Sequence, residues 1–166
     1  MKAWVVYRGP LERSRLSYLL QGVASVHGPP GFIWIFPGQM TDARLQAFKQ
    51  YIQSQPVREH RIIQASLGAY FQTRRQIRTI ITEPIDTLFC IGFSALWFSG
   101  AATFRKLVWC VNGVPEEKEL TSGRSRLLSK LSWAVCRMAA KPDLIIVVSH
   151  GMYDMVQSHF SDIAIT

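Results

Sequence analysis

KLVWCVNGVPEEKEL (106–120), RSRLLSKLSWAVCRMAAK (124–141), PDLIIVVSHGMYDMVQSHF (142–160) and the closing SDIAIT (161–166) carry the pattern that decides the fold. In order they read as buried strand, polar loop, amphipathic helix, buried strand, short helix and short strand, the alternation expected when parallel strands are joined by crossover helices. Both apolar strands end in a polar cluster, Asn112-Gly113 after the first and Ser149-His150-Gly151 after the second. Ligands of an open α/β sheet bind in the crevice beyond the carboxyl ends of its strands, so Asn112, Gly113, Ser149 and His150 are candidate substrate-binding residues.

The rest of the chain repeats the alternation. Ala3–Tyr7 (AWVVY), Phe32–Phe36 (FIWIF), Arg61–Ser66 (RIIQAS) and Thr87–Ile91 (TLFCI) are strand-like runs rich in β-formers. Between them Leu16, Leu19, Leu20 and Val23 recur at helical spacing, and Leu45, Phe48 and Ile52 form one face of a helix that starts at Thr41-Asp42 and stops at Pro56. A third helix, Ala69–Thr82, carries Arg74, Arg75 and Arg78 as a basic face. A fourth, Ala95–Phe104, is apolar nearly all round, with Arg105 and Lys106 suited to its carboxyl end. The long helix 124–141 presents Leu127, Leu128, Leu131, Val135 and Met138. The expectation is a doubly wound, mostly parallel α/β sheet of six or seven strands, Rossmann-like, in a single domain over residues 1–166. No repeat, low-complexity tract or linker divides it.

Composition narrows the class. With 48% apolar and 18% charged residues the chain is globular rather than disordered. Nineteen Lys and Arg against eleven Asp and Glu give a net charge of +8, which draws a domain toward phosphates or an anionic bilayer, although scattered surface charge requires no partner. The three cysteines, Cys90, Cys110 and Cys136, are an odd number without CxxC spacing, so buried reduced thiols in a cytosolic protein are expected, with no metal site. The stretch 87–104 carries no charge over nearly the length of a membrane span, but Gly92, Ser94 and Ser99-Gly100 interrupt it, which suits a buried strand, turn and helix. No signal peptide opens the chain.

The polar clusters each admit two readings. Asn112 either hydrogen-bonds a ligand hydroxyl while Gly113 turns the backbone close to it, or the pair is a strand-end turn, for which Asn-Gly is a common dipeptide. Ser149 and the free N–H groups of the following helix either hold an anion or form an ordinary N-cap. His27, His60 and His159 have no partner at metal spacing and read as surface residues, and Glu116, Glu117 and Glu119 as a solvated turn. A P-loop, a GxGxxG fingerprint, a nucleophile elbow and an HExxH are absent.

The order of strand, Asn-Gly-Val-Pro-Glu-Glu, helix with Leu-Leu, Ala-Lys-Pro-Asp-Leu-Ile-Ile-Val-Val-Ser, short helix and strand resembles the amino-terminal domain of GT-B glycosyltransferases, especially the retaining family 4 type. The resemblance is clearest from Lys106 onward. It implies the acceptor-binding half of a retaining, metal-independent transferase that moves a sugar from a nucleotide-sugar donor to a glycan or lipid-linked acceptor, as in polysaccharide biosynthesis, with the donor's phosphate assisting. The donor is bound mainly by a carboxy-terminal domain, whose Glu-x7-Glu motif has no counterpart here, so the isolated chain is expected to be inactive. No cofactor is implied and no nucleic-acid partner is expected.

Residue by residue, Arg8-Gly9 occupies the first loop, where the family commonly has a glycine pair, and so enters the candidate substrate site. Asn112-Gly113 stands where members often show His-Gly, which fits binding better than proton transfer. Ser149 matches a common family serine. Pro84-Ile85-Asp86 leads into the fourth strand as in the family, but Gly92-Phe93-Ser94 replaces the histidine that often follows it. Catalytic residues are not assigned. A cytoplasmic location, peripheral at the inner face of the membrane, is further expected from the +8 charge, from Arg74, Arg75 and Arg78, and from the apolar helix with Leu96, Trp97, Phe98 and Phe104. The alternative is a self-contained flavodoxin-like binding or regulatory module. An acidic cluster for a phosphoryl acceptor and a glycine-rich dinucleotide loop are both missing from it, and the length of the natural gene separates the two readings.

Overall fold

The structure is a computed structural model that describes residues 2–9, 13–38, 41–65, 69–112 and 123–166. Its elements run β1 (Ala3–Arg8), α1 (Arg13–His27), β2 (Gly31–Pro37), α2 (Asp42–Gln53), β3 (Glu59–Ala65), α3 (Tyr70–Ile80), β4 (Ile85–Ile91), a 3-10 helix (Phe93–Ala101), β5 (Phe104–Val111), α4 (Gly123–Met138), β6 (Leu144–Val147) and α5 (His150–His159). The central strands are apolar on both faces and need cover on both, which is why they pair in parallel and alternate with helices. All six lie in one parallel sheet of order β3-β2-β1-β4-β5-β6. That is the doubly wound, Rossmann-like order, and it differs from the 2-1-3-4-5 order of flavodoxin-like sheets.

From β1 the chain winds outward to β2 and β3, and from β4 the other way to β5 and β6. Right-handed crossovers therefore place α1 and α2 on one face and the later helices on the opposite face. On the first face Leu16 and Leu20 of α1 and Phe48 and Ile52 of α2 pack on Val5, Phe32 and Trp34. On the second, Ile77 of α3, Leu96 and Phe98 of the 3-10 helix, Trp133 of α4 and Val156 of α5 cover Val6, Ile33, Leu88 and Trp109. Burying each such side chain contributes about 1.5–3 kcal/mol. Gly31, opening β2, leaves room for Trp4, because a β-carbon there would lie 2.4 Å from the indole ring.

Several sequence expectations change. The helix expected over Ala95–Phe104 is the 3-10 helix Phe93–Ala101, and Phe104, Arg105 and Lys106 belong to β5, paired along β4 from Ile85 to Thr87. A segment apolar all round has no period to mark its end, and ladder hydrogen bonding to β4 takes the residues after Ala102. The closing strand Ile163–Thr166 is reduced to one parallel bridge, Ile145 to Ile165, so the strands among the described residues number six.

In α4 the buried side is also different: Trp133 and Cys136 are in the core, while Leu127, Leu131 and Met138 are 58, 53 and 85% exposed. Both faces satisfy helical spacing, and Trp133 decides between them because its large ring packs edge-on against Phe93 and stacks on His159. The histidines are likewise not plain surface residues. His27 meets Phe89 edge-on, His60 meets Phe48, and His159 lies on Trp133 with ring centroids 4.0 Å apart.

Leu96 and Phe98 are buried in the core, so these two side chains are not available to insert into a bilayer. No helix among the described residues is long and apolar enough to cross a membrane. Cys90, Cys110 and Cys136 are buried free thiols, as expected, and burial pushes Cys110 and Cys136 up to about 12.

Candidate functional site

The strand order reverses between β1 and β4, and the carboxyl ends of these two strands frame the crevice where ligands of open α/β sheets bind. β1 contributes Arg8 and, just beyond it, Gly9; β4 contributes Gly92. Gly92 is held from both directions: its N–H donates to the Cys110 carbonyl (2.9 Å) and its carbonyl accepts from Trp109 Nε1 (3.1 Å). It takes φ +98°, and a β-carbon there would stand 2.4 Å from the Arg8 carbonyl oxygen. The two strand ends close on each other only because this residue has no side chain. The Gly9 carbonyl is fixed in turn by Trp34 Nε1, 3.0 Å away. The backbone at the switch point is thus tied down by two buried tryptophans.

Alternation along β1 sends Arg8 to the face of Trp4 and Val6, toward the start of the next crossover. There its guanidinium lies 5.3 Å from the Trp97 ring centroid and 5.5 Å from that of Phe98. Burial lowers its pKa from the ordinary arginine value, yet arginine keeps its charge at physiological pH. Among the described residues no carboxylate pairs with it. Arg8 therefore offers planar N–H donors to a hydroxyl, carboxylate or phosphate, with its orientation set by two aromatic rings.

Asn112 follows β5, the strand next to β4, and is half-buried. Neighbouring strands lie about 4.8 Å apart, so the β1 and β5 ends, which carry Arg8 and Asn112, are about 10 Å apart. Gly113 and the acidic loop with Glu116, Glu117 and Glu119 lie outside the described residues. Ser149 caps α5, its hydroxyl accepting from the Met152 N–H at 3.3 Å, and His150 begins the helix, exposed. These two border an open cavity of about 520 Å³ with Val148, Tyr153 and Thr166 at the sheet edge. The β6 end is about 14 Å from β1 at the same spacing, so Ser149 and His150 form the outer end of the crevice rather than its centre.

The three arginines of α3 do not act alike. Arg75 and Arg78 are exposed, but Arg74 turns down onto the 3-10 helix, where Nη2 donates to the Gly100 carbonyl (2.7 Å) and Nη1 to the Tyr70 hydroxyl (3.3 Å). It is not one of a set facing outward.

Gly92, Trp97 and Phe98 are site residues that sequence reasoning did not assign. A glycine directly after a buried strand was the available signal for Gly92. The two aromatics carried none, because only the sheet order brings their segment beside the end of β1. Among the described residues no three of His, Cys, Asp and Glu gather as a metal-holding group. Comparison with known proteins gives no matching family model, no matching curated protein and no matching solved structure.

Proposed function

We propose that the crevice at the ends of β1, β4 and β5 binds a glycan or lipid-linked glycosyl acceptor, and that the chain is the acceptor half of a retaining glycosyltransferase of the GT-B type. One observation carries this reading: Arg8 stands at the switch point as an aromatic-flanked cation without a carboxylate partner among the described residues. Asn112 lies within one ligand's reach of it. Such a set orients a polyhydroxylated ligand by hydrogen bonds. The resemblance of residues 106–166 to family 4 enzymes supplies the reaction class, in which a nucleotide-sugar donor is held mainly by a second domain. The strand order favours this reading over the flavodoxin-like module, whose sheet is ordered differently.

In the same reading the protein works on the cytoplasmic side, peripheral to an anionic leaflet, with the net charge of +8 and the exposed Arg75 and Arg78 supporting attachment. Phe71, 80% exposed beside them, is the apolar side chain available on that helix.

The test is ligand-detected NMR with a panel of oligosaccharides and nucleotide sugars. Saturable oligosaccharide binding that is lost in Arg8→Gln and reduced in Asn112→Ala, without turnover of any nucleotide sugar by this chain alone, is the expected result. Oligosaccharide binding indifferent to both substitutions, or sugar transfer by the 166-residue chain alone, would overturn the assignment.

A further inference from the structure

A second cavity, distinct from the crevice, lies on the outer side of the 3-10 helix between α3 and α4. Its volume of about 490 Å³ is in the range of small-molecule sites, and Tyr70, Arg74, Trp97, Gly100, Val135 and Met138 line it. It arises from the connection itself: a tight 3-10 turn, rather than a full α-helix, fills the space between β4 and β5 and leaves a trough along its outer side.

Among the described residues that line this largely apolar trough, Arg74 is the one cation. Arg74 has five N–H donors, of which one meets the Tyr70 hydroxyl and one the Gly100 carbonyl. Its Nε is shut off from solvent and has no hydrogen-bond partner among the described residues. No carboxylate among those residues pairs with it either. The guanidinium lies over the Tyr70 ring, 5.6 Å from its centroid, and is held only by neutral groups. Gly100 is part of the arrangement, since a β-carbon there would lie 2.9 Å from Nη2 and push the guanidinium away. The trough walls are apolar, and Met138 at the rim, 85% exposed, is an adaptable side chain for an apolar ligand to cover.

We propose that this trough binds an amphipathic carboxylate, its head on Arg74 and its apolar body along Trp97, Val135 and Met138. A fixed guanidinium with free N–H groups matches the two oxygens of a carboxylate. One positive charge beside apolar walls balances one negative charge, whereas a doubly charged phosphate monoester would bring an uncompensated charge against the same walls. The apolar walls supply the remaining affinity and exclude small hydrophilic anions.

The test is a heteronuclear NMR titration of the whole chain with decanoate, alongside decanol, acetate and decyl phosphate, reading the Trp97 indole N–H, whose hydrogen bond to Cys136 Sγ identifies its place beside the trough. Saturable shifts with decanoate are expected, with decanol, acetate and decyl phosphate each weaker by about tenfold or more. Arg74→Gln should reduce decanoate to the level of decanol. Gly100→Ala, which keeps the charge but moves it, should also weaken decanoate and provides an independent reading if Arg74→Gln unfolds the chain. Decanol binding as tightly as decanoate, decyl phosphate binding as tightly or more so, unchanged affinity in the folded variants, or shifts confined to Phe89 and Ile146 on the opposite face would each overturn the proposal.

Discussion

The backbone carbonyl of Arg8 and the α-carbon of Gly92 approach so closely that a methyl group on Gly92 would stand 2.4 Å from the Arg8 oxygen. This approach joins the ends of the two strands between which the sheet reverses its order. Gly92→Ala combines that overlap with a side chain at φ +98°, and should destabilise the fold by about 3 kcal/mol. Urea unfolding checks it, and a loss under about 1 kcal/mol would mean that the strand ends separate easily.

Helix α4 offers a comparison of its two possible faces. Trp133, 2% exposed, stacks on His159 and packs on Phe93, whereas Leu131 is 53% exposed. Trp133→Ala should cost about 3–5 kcal/mol and Leu131→Ala about 1 kcal/mol or less. Equal losses in chemical denaturation would contradict the rotation of this helix.

The buried thiols set an alkaline limit. The ordinary thiol value is 9.0, and in the folded chain burial raises Cys110 and Cys136 to about 12, and Cys90 as well. Above pH 9 the unfolded chain therefore releases protons that the folded chain retains, so the unfolded state binds fewer protons and stability falls as pH rises from 9 toward 12. Below that window the contribution is complete. Each thiol contributes a slope of about 1.4 kcal/mol per pH unit at most. Denaturation midpoints should decline above pH 9, and Cys110→Ala should make the decline shallower; a flat profile would show the thiols are not held neutral by the fold.

The proposed attachment to an anionic surface would depend on charge and Phe71, because Leu96 and Phe98 are in the core. Basic side chains near such a surface contribute about 1 kcal/mol each, so Arg75 and Arg78 supply about 2 kcal/mol. Co-sedimentation with vesicles rich in anionic lipid should therefore be weak, lost in high salt and reduced by the double change Arg75→Gln, Arg78→Gln. Binding that persists in high salt and in the double variant would contradict a charge-dominated attachment, since Phe71 is the one large exposed apolar side chain of this helix among the described residues.

The strands and the class of fold were legible in the sequence, because runs such as AWVVY and FIWIF are short, uniformly apolar and rich in β-formers, as strands buried on both faces are. Local chemistry also marked Arg8-Gly9, Asn112 and Ser149 as strand-end residues, since polar groups directly after an apolar run must leave the core. What surrounds each of these positions was decided by tertiary structure. Sheet order places β4 beside β1, and with it Gly92, Trp97 and Phe98 around Arg8, although more than eighty residues separate Arg8 from Gly92. The end of the apolar segment after β4 was unreadable because a sequence apolar on every side has no period. The buried face of α4 was ambiguous because two stripes fit the same spacing. Packing settles both: ladder bonds to β4 claim Phe104–Lys106, and the large ring of Trp133 turns α4 toward the sheet. Hydrophobic pattern is a property of neighbours along the chain, whereas a crevice is made by residues that only the order of strands brings together.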